Sequence, residues 1–244
     1  MKYHGSIAYR SNLHGQVSEG FLHSTVQAWE FLNREYREHD PSLVSPSFHF
    51  MRGLSVIPSE SANAIADTFL GEWVLMLDTD HVFGADAFYE MIRTFEENQL
   101  DILVGFTQRR VWPYHPVIFR TDFDPRYDFK TMFPNPLERH ALLPIDSSGA
   151  ACLLVRRKVF DVIKSLGERP FDPRRKFHSF DLKTRELIYA VPVPEGRYND
   201  ETFAEDTSFF WRAHMLGIQA YCAPWVKFHH LATVLVDESM MVKK

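Results

Sequence analysis

The sequence predicts an α/β fold with a mostly parallel central sheet flanked by helices. Three observations predict it. Residues Trp73-Val74-Leu75-Met76-Leu77 form an uninterrupted apolar run between Gly71-Glu72 and Asp78, the pattern of a central parallel strand covered on both faces. Strand-like and helix-like stretches alternate through the first hundred or so residues, as βαβ units do. A chain of 244 residues, 45% of them hydrophobic, has the length to bury one large core.

The elements follow in order. Ser6 to Tyr9 reads as a first strand. Ser18 is an N-cap for a helix whose apolar positions Leu22, Val26, Trp29, Leu32 and Tyr36 fall near a 3.6-residue period. Asp40-Pro41 ends that helix, and Phe48 to Met51 forms a second strand. A second helix from Ser59 places Ala62, Ile65, Ala66 and Phe69 on one face. After the run 73–77, a third helix carries Phe88, Met91, Ile92 and Phe95 at i, i+3, i+4 and i+7, and Ile102 to Val104 is the next strand. Ala150 to Val155 reads as a strand, followed by a helix with Val159, Phe160 and Ile163. A last helix after Asp206 carries Phe209, Ala213 and Leu216 and stops at Gly217; Tyr221 to Phe228 is the last strand. Residues 106–146 and 168–203 are rich in proline, arginine and aromatics without a period, which marks long functional loops.

A net charge of −5 with a pI near 6.2 argues against a nucleic-acid binder. The basic runs Arg109-Arg110, Arg156-Arg157-Lys158 and Arg174-Arg175-Lys176 read as solvated faces. Cys152 and Cys222 make neither a disulfide framework nor a metal-type spacing. Neither a signal-peptide core nor an apolar run of membrane-spanning length is present, so a reducing cytoplasm is the expected location.

The chemistry concentrates in three places. Asp78-Thr79-Asp80 directly follows the buried run. Ligands of parallel sheets bind beyond the carboxyl ends of the strands, and paired carboxylates offer hard oxygen ligands to Mg²⁺ or Mn²⁺. The competing reading is an ordinary Asp-rich turn. Glu205-Asp206 opens a helix, where Asp206 is either a cap that answers the helix dipole or a general base toward an acceptor hydroxyl. His229-His230 ends the last strand, and a neutral imidazole suits Mn²⁺-like ions.

In this order the three features resemble the GT-A glycosyltransferases, most closely the large family-2 group. Glu72 to Asp80 resembles the family's strand plus DxD motif. Ser148-Gly149-Ala150-Ala151 through Arg156 resembles its glycine-containing acceptor-side strand. Glu205 to Gly217 and Tyr221 to His230 resemble its ED helix and the following strand with a histidine. The match spans about residues 55 to 230. The resemblance implies a single Rossmann-like GT-A domain over 1–244, with a donor half at 1–104 and an acceptor half at 105–244. It implies a UDP- or GDP-sugar donor, Mn²⁺ or Mg²⁺, and a hydroxyl-bearing acceptor. Asp78 and Asp80 take the metal role, Asp80 the stronger. His229 takes the histidine role ahead of His230. Asp206 is the base with Glu205 beside it, and the ED motif leans toward inversion. Asn63 resembles a nucleotide-side asparagine, and Arg52 and Arg10 are assigned to the donor, Arg52 through its phosphates. Trp112, Tyr114 and Gly149 are assigned to the acceptor. Tyr9-Arg10-Ser11-Asn12 departs from the family's usual start. The alternatives are a nucleotide-sugar hydrolase, a nucleotidyltransferase of similar fold, or a non-catalytic sugar- or nucleotide-binding module. A nucleotidyltransferase should carry an early glycine-rich phosphate loop, which residues 5–20 lack.

Overall fold

The computed structural model describes residues 4–10, 17–39, 47–53, 57–110, 113–121, 130–135, 140–175, 178–181, 186–190 and 202–231. Asp40-Pro41 and Trp112 lie outside them. The first half contains β1 (His4–Arg10), α1 (Glu19–His39), β2 (Ser47–Gly53), α2 (Pro58–Thr68), β3 (Trp73–Asp78), β4 (His81–Phe83), α3 (Ala87–Glu97) and β5 (Ile102–Thr107). There follow β6 (Ile118–Arg120), β7 (Lys130–Thr131), β8 (Leu143–Ile145), β9 (Ser147–Ser148), β10 (Cys152–Arg156) and α4 (Arg157–Ser165). Last come β11 (Arg174–Arg175), β12 (His178–Asp181), β13 (Glu186–Ala190), β14 (Thr202–Phe203), α5 (Glu205–Met215) and β15 (Ala220–His230).

The main sheet has the order β2-β1-β3-β10-β5-β15-β4, with β8 also on β15. β1 is parallel to β2 and β3, and β15 is parallel to β5. β10 is antiparallel to both β3 and β5, so β5 runs with β3, and β4 is antiparallel to β15. Thus β2, β1, β3, β5 and β15 share one direction, as the mixed α/β, mostly parallel expectation requires. One detail is corrected. β3 is parallel to its neighbour on one side alone, because β10 from the second half of the chain inserts between β3 and β5.

The apolar runs are buried on both faces, and side chains alternate between two cores with the strand period of two. Val74 and Met76 of β3 join one core with Ile102, Val104, Leu153 and Val155. Trp73, Leu75 and Leu77 join the other with Leu103, Cys152 and Leu154. The first core also takes Ala62, Ile65, Val159, Phe160 and Phe209 from α2, α4 and α5; the second takes α1 and α3. Phe88, Met91, Ile92 and Phe95 are all fully buried, as their spacing predicts. The face expected of α1 holds at Trp29, Leu32 and Tyr36, which pack into the core, and is corrected over the first two turns: Leu22 and Val26 are 52% and 55% exposed, while Phe21 and Ala28 are buried. The competing apolar stripe begins one residue earlier, and the sheet packing selects it.

Two basic residues read as solvated are structural clips. The Arg156 guanidinium donates to the Leu100 carbonyl at 2.7 Å and pairs with Glu96 at 3.2 Å. Arg157 donates to the carbonyls of Gly71 and Phe69 at 2.6 and 2.7 Å, and its guanidinium lies over the Phe69 ring.

Candidate active site

β1 and β3 end side by side, with Arg10 opposite Asp78 in the register. The Arg10 guanidinium is buried and holds Asp78 Oδ1 at 2.8 Å through Nε and 2.7 Å through a terminal nitrogen. Its other terminal nitrogen reaches Glu205 Oε1 at 3.4 Å. Burial works against the Arg10 charge, but Asp78, Glu205 and Asp206 outweigh it and raise its pKa. One cation therefore ties Asp78 to the start of α5.

Thr79-Asp80 turns the chain from β3 into β4. That turn is fastened to α1: Ser18 donates its hydroxyl to the Thr79 carbonyl at 2.9 Å and accepts the Phe21 amide at 3.1 Å. Ser18 is thus the expected N-cap and also an anchor for the turn. The turn gives the two carboxylates different partners. Asp78 faces Arg10, while Asp80 Oδ1 lies 2.9 Å from His81 Nδ1 and Asp80 Oδ2 is paired with Arg110.

β15 brings the histidines. Its pairing with β5 shifts register between Ala223 and Lys227, and beyond that irregularity the strand continues onto β4. His230 stands opposite His81, their ring centroids 3.8 Å apart, and His229 opposite Val82. The preference for His229 is corrected. Phe228 and His230 share one side of the strand and His229 points to the exposed side, so His230 is the histidine beside Asp80. His230 Nδ1 is hydrogen-bonded to the Gln108 carbonyl. A carbonyl accepts only, so Nδ1 carries the proton and Nε2 keeps its lone pair. Burial lowers the His230 pKa, and the nearby His81 and Arg110 lower it too.

Asp80, His81 and His230 each offer a ligand atom, and these atoms lie within 4.8 Å of one another. His81 was not singled out in the sequence. It is fully buried, and neither ring nitrogen makes an aligned hydrogen bond; Asp80 Oδ1 is likewise unsatisfied. Buried polar atoms left this way are uncommon, and a bound cation would satisfy them. The residues present therefore fit a divalent metal. Burial works to raise the Asp80 pKa, but His81, Arg110 and His230 together outweigh it and keep the carboxylate ionised.

Asp206 occupies the second position of α5. The residue before the helix is Ala204, with no side-chain cap, and among the described residues Asp206 Oδ1 accepts the adjacent Thr207 amide at 2.6 Å and the Thr207 hydroxyl at 3.4 Å. Burial, then Glu205, push its pKa up to about 6, against the pull of Thr207 and Arg10. Gly149, just after β9, lines the same space: a methyl group there would come within 3.7 Å of Asp206 Oδ2. Tyr114 is 47% exposed and has a positive φ of 54°. Arg52 is exposed at the same end of the sheet, opposite Tyr9. Asn63 is buried, and both ends of its amide are engaged, Nδ2 donating to Asp172 at 2.9 Å and Oδ1 accepting the Phe171 amide at 3.0 Å. In this conformation Asn63 fastens that loop to α2.

No family model and no curated protein matches the sequence. Solved structures resemble the fold. GalNAc-T7 with UDP, GalNAc and Mn²⁺ aligns with a TM-score of 0.54 at 10% identity, over 94% of this chain and 44% of that one. A197 from STIV aligns at 0.44 and 11% identity, over 93% and 86% of the two chains. S. aureus TarS 1-349 aligns at 0.45 and 12% identity, over 92% and 59%. The chain thus spans less than half of the GalNAc-T7 chain, and that likeness is one of fold, a mixed α/β architecture with a mostly parallel central sheet.

Proposed function

We propose that the protein transfers a glycosyl group from a nucleoside diphosphate sugar, UDP- or GDP-linked, to a hydroxyl acceptor with the help of Mn²⁺ or Mg²⁺. The observation that carries this reading is the convergence of Asp80, His230 and the Glu205-Asp206 pair on the sheet end where β3 and β15 finish. GalNAc-T7, of similar fold, was solved with UDP, GalNAc and Mn²⁺.

In this reading Asp80 and His230 would hold the metal, which would supply positive charge to a diphosphate leaving group. Arg10, braced between Asp78 and Glu205, orders the floor between donor and acceptor. Arg52 sits on the donor side. Asp206 accepts the acceptor hydroxyl proton as the new glycosidic bond forms at the anomeric carbon and the bond to the diphosphate breaks. A base with a pKa of about 6 is mostly ionised at neutral pH and still strong enough to take a proton. Gly149 leaves room for the acceptor beside it, and Tyr114, together with Trp112 from outside the described residues, is assigned to the acceptor because aromatic side chains suit a sugar-like ring. The ED arrangement favours in-line attack with inversion.

The test is a donor screen. Purified protein with Mn²⁺ is melted against UDP-, GDP- and dTDP-sugars, and stabilising donors are incubated with mixed hydroxyl acceptors. A glycosylated product is expected. Release of free sugar with no transfer would favour hydrolysis, and no donor binding at all would overturn the reading.

A further inference from the structure

Resting on the metal-dependent reading above, we propose that His81 is a third protein ligand of the ion, so that two imidazoles and one carboxylate hold it while Asp78 stays with Arg10. His81 is fully buried; its Nδ1 faces Asp80 Oδ1 at 2.9 Å, and among the described residues Nε2 has no hydrogen-bond partner. Its position is fixed by backbone: antiparallel β4 and β15 place His81 directly opposite His230, and Asp80 precedes it in the chain. Directly opposed residues share one face of a sheet.

The three ligand atoms already lie within 4.8 Å of one another. Metal–nitrogen bonds of about 2 Å need only a small contraction of that triangle. The Nδ1–H of His230 is tied to the Gln108 carbonyl, the outer contact that orients a ligating imidazole. Asp78 has no such freedom, because a buried guanidinium holds one of its oxygens at 2.7 and 2.8 Å. The motif is divided: its first acid organises Arg10, its second acid and the next residue bind the ion.

The chemistry has a consequence for selectivity. Mg²⁺ prefers oxygen and water, whereas imidazoles suit the transition ions. A site with two nitrogens therefore selects Mn²⁺ or Co²⁺ over Mg²⁺. Arg110, now paired with Asp80 Oδ2 and largely exposed, must swing away when the ion enters.

The experiment uses the whole chain and Mn²⁺ alone. Pulsed EPR of the Mn²⁺-loaded wild-type protein should show couplings from two imidazole nitrogens; one would overturn the proposal, and this readout needs no variant to fold. Calorimetric titration should show Mn²⁺ bound tighter than Mg²⁺. His81→Gln should weaken Mn²⁺ binding by about 10–100-fold, Asp78→Asn should leave it nearly unchanged, and Arg110→Ala should tighten it. Unchanged Mn²⁺ affinity in His81→Gln, with loss in His230→Ala, would sink the third ligand and spare the metal reading. Absence of any Mn²⁺ binding by the wild type would sink both.

Discussion

Asp206 and Arg10 form a coupled pair in which a half-buried acid is moderated by a buried cation. Asp206→Asn should lower kcat by roughly 10²–10⁴ while nucleotide affinity hardly changes, since the acid acts on the acceptor proton. Normal kcat with lost donor binding would move Asp206 to the donor side. In the wild type, kcat/KM should rise with pH through an acid limb near pH 6. Removing the guanidinium removes a charge that holds the Asp206 pKa down. Arg10→Gln should therefore shift that limb to higher pH and Arg10→Lys should restore it; an unmoved limb in Arg10→Gln would disconnect the two residues. The stability sign is opposite to that of a salt-bridged carboxylate. A folded-state pKa above the ordinary range gives stability that is complete below the unfolded value and lost as pH rises through about 6. Asp206→Asn should raise Tm at pH 7.5, by about 2–4 °C per kcal/mol recovered, and the gain should vanish near pH 4.

Among the elements, α1 does more than cover the sheet, because its N-cap also grips the turn that carries Asp80. Ser18→Ala loses both the Phe21 amide contact and the Thr79 carbonyl contact. It should cost about 1 kcal/mol and weaken Mn²⁺ binding. A stability loss with unchanged Mn²⁺ binding would make Ser18 a helix cap alone. In β1, an added methyl at Gly5 would sit 2.3 Å from the Trp73 ring. Gly5→Ala should destabilise by about 1–3 kcal/mol, read from the shift of a chemical denaturation curve; a neutral result would mean that Trp73 can move aside. These elements also mark what was legible in the sequence. α3 offers one strong apolar stripe, and its burial follows the spacing. α1 offers two overlapping stripes, and the choice between Leu22 and Phe21 needs the sheet beneath. The direction of β10 was not readable from its own residues, because a doubly buried strand looks alike in either direction. The clipping of Arg156 and Arg157 depends on carbonyls supplied by other elements.

Across the whole molecule, the site draws on residues near both ends of the described chain. Asp80 and Asp206 were legible because each acid adjoins an apolar element with a clear signature. His81 was not, although it directly follows the motif: its significance lies in facing His230 across β4 and β15, a pairing that no local pattern encodes. His230 rather than His229 depends on where β15 resumes regular pairing after its irregularity. EDTA should abolish turnover and Mn²⁺ restore it; full activity in chelator would remove the metal from the mechanism.

The register shift in β15 has a thermodynamic corollary. Before it, the strand pairs with β5 and β8; after it, with β5 and β4. The imidazole pair can therefore close only when the middle of the sheet and its edge are built together. A chain with either part unravelled has no cation site to offer, so a bound ion senses completed folding rather than local order. Mn²⁺ should then move the urea midpoint upward with the logarithm of its free concentration once that exceeds Kd while the slope of the transition stays fixed, and a low-denaturant shoulder that appears in EDTA and disappears with Mn²⁺ would show that the β4 edge can open by itself.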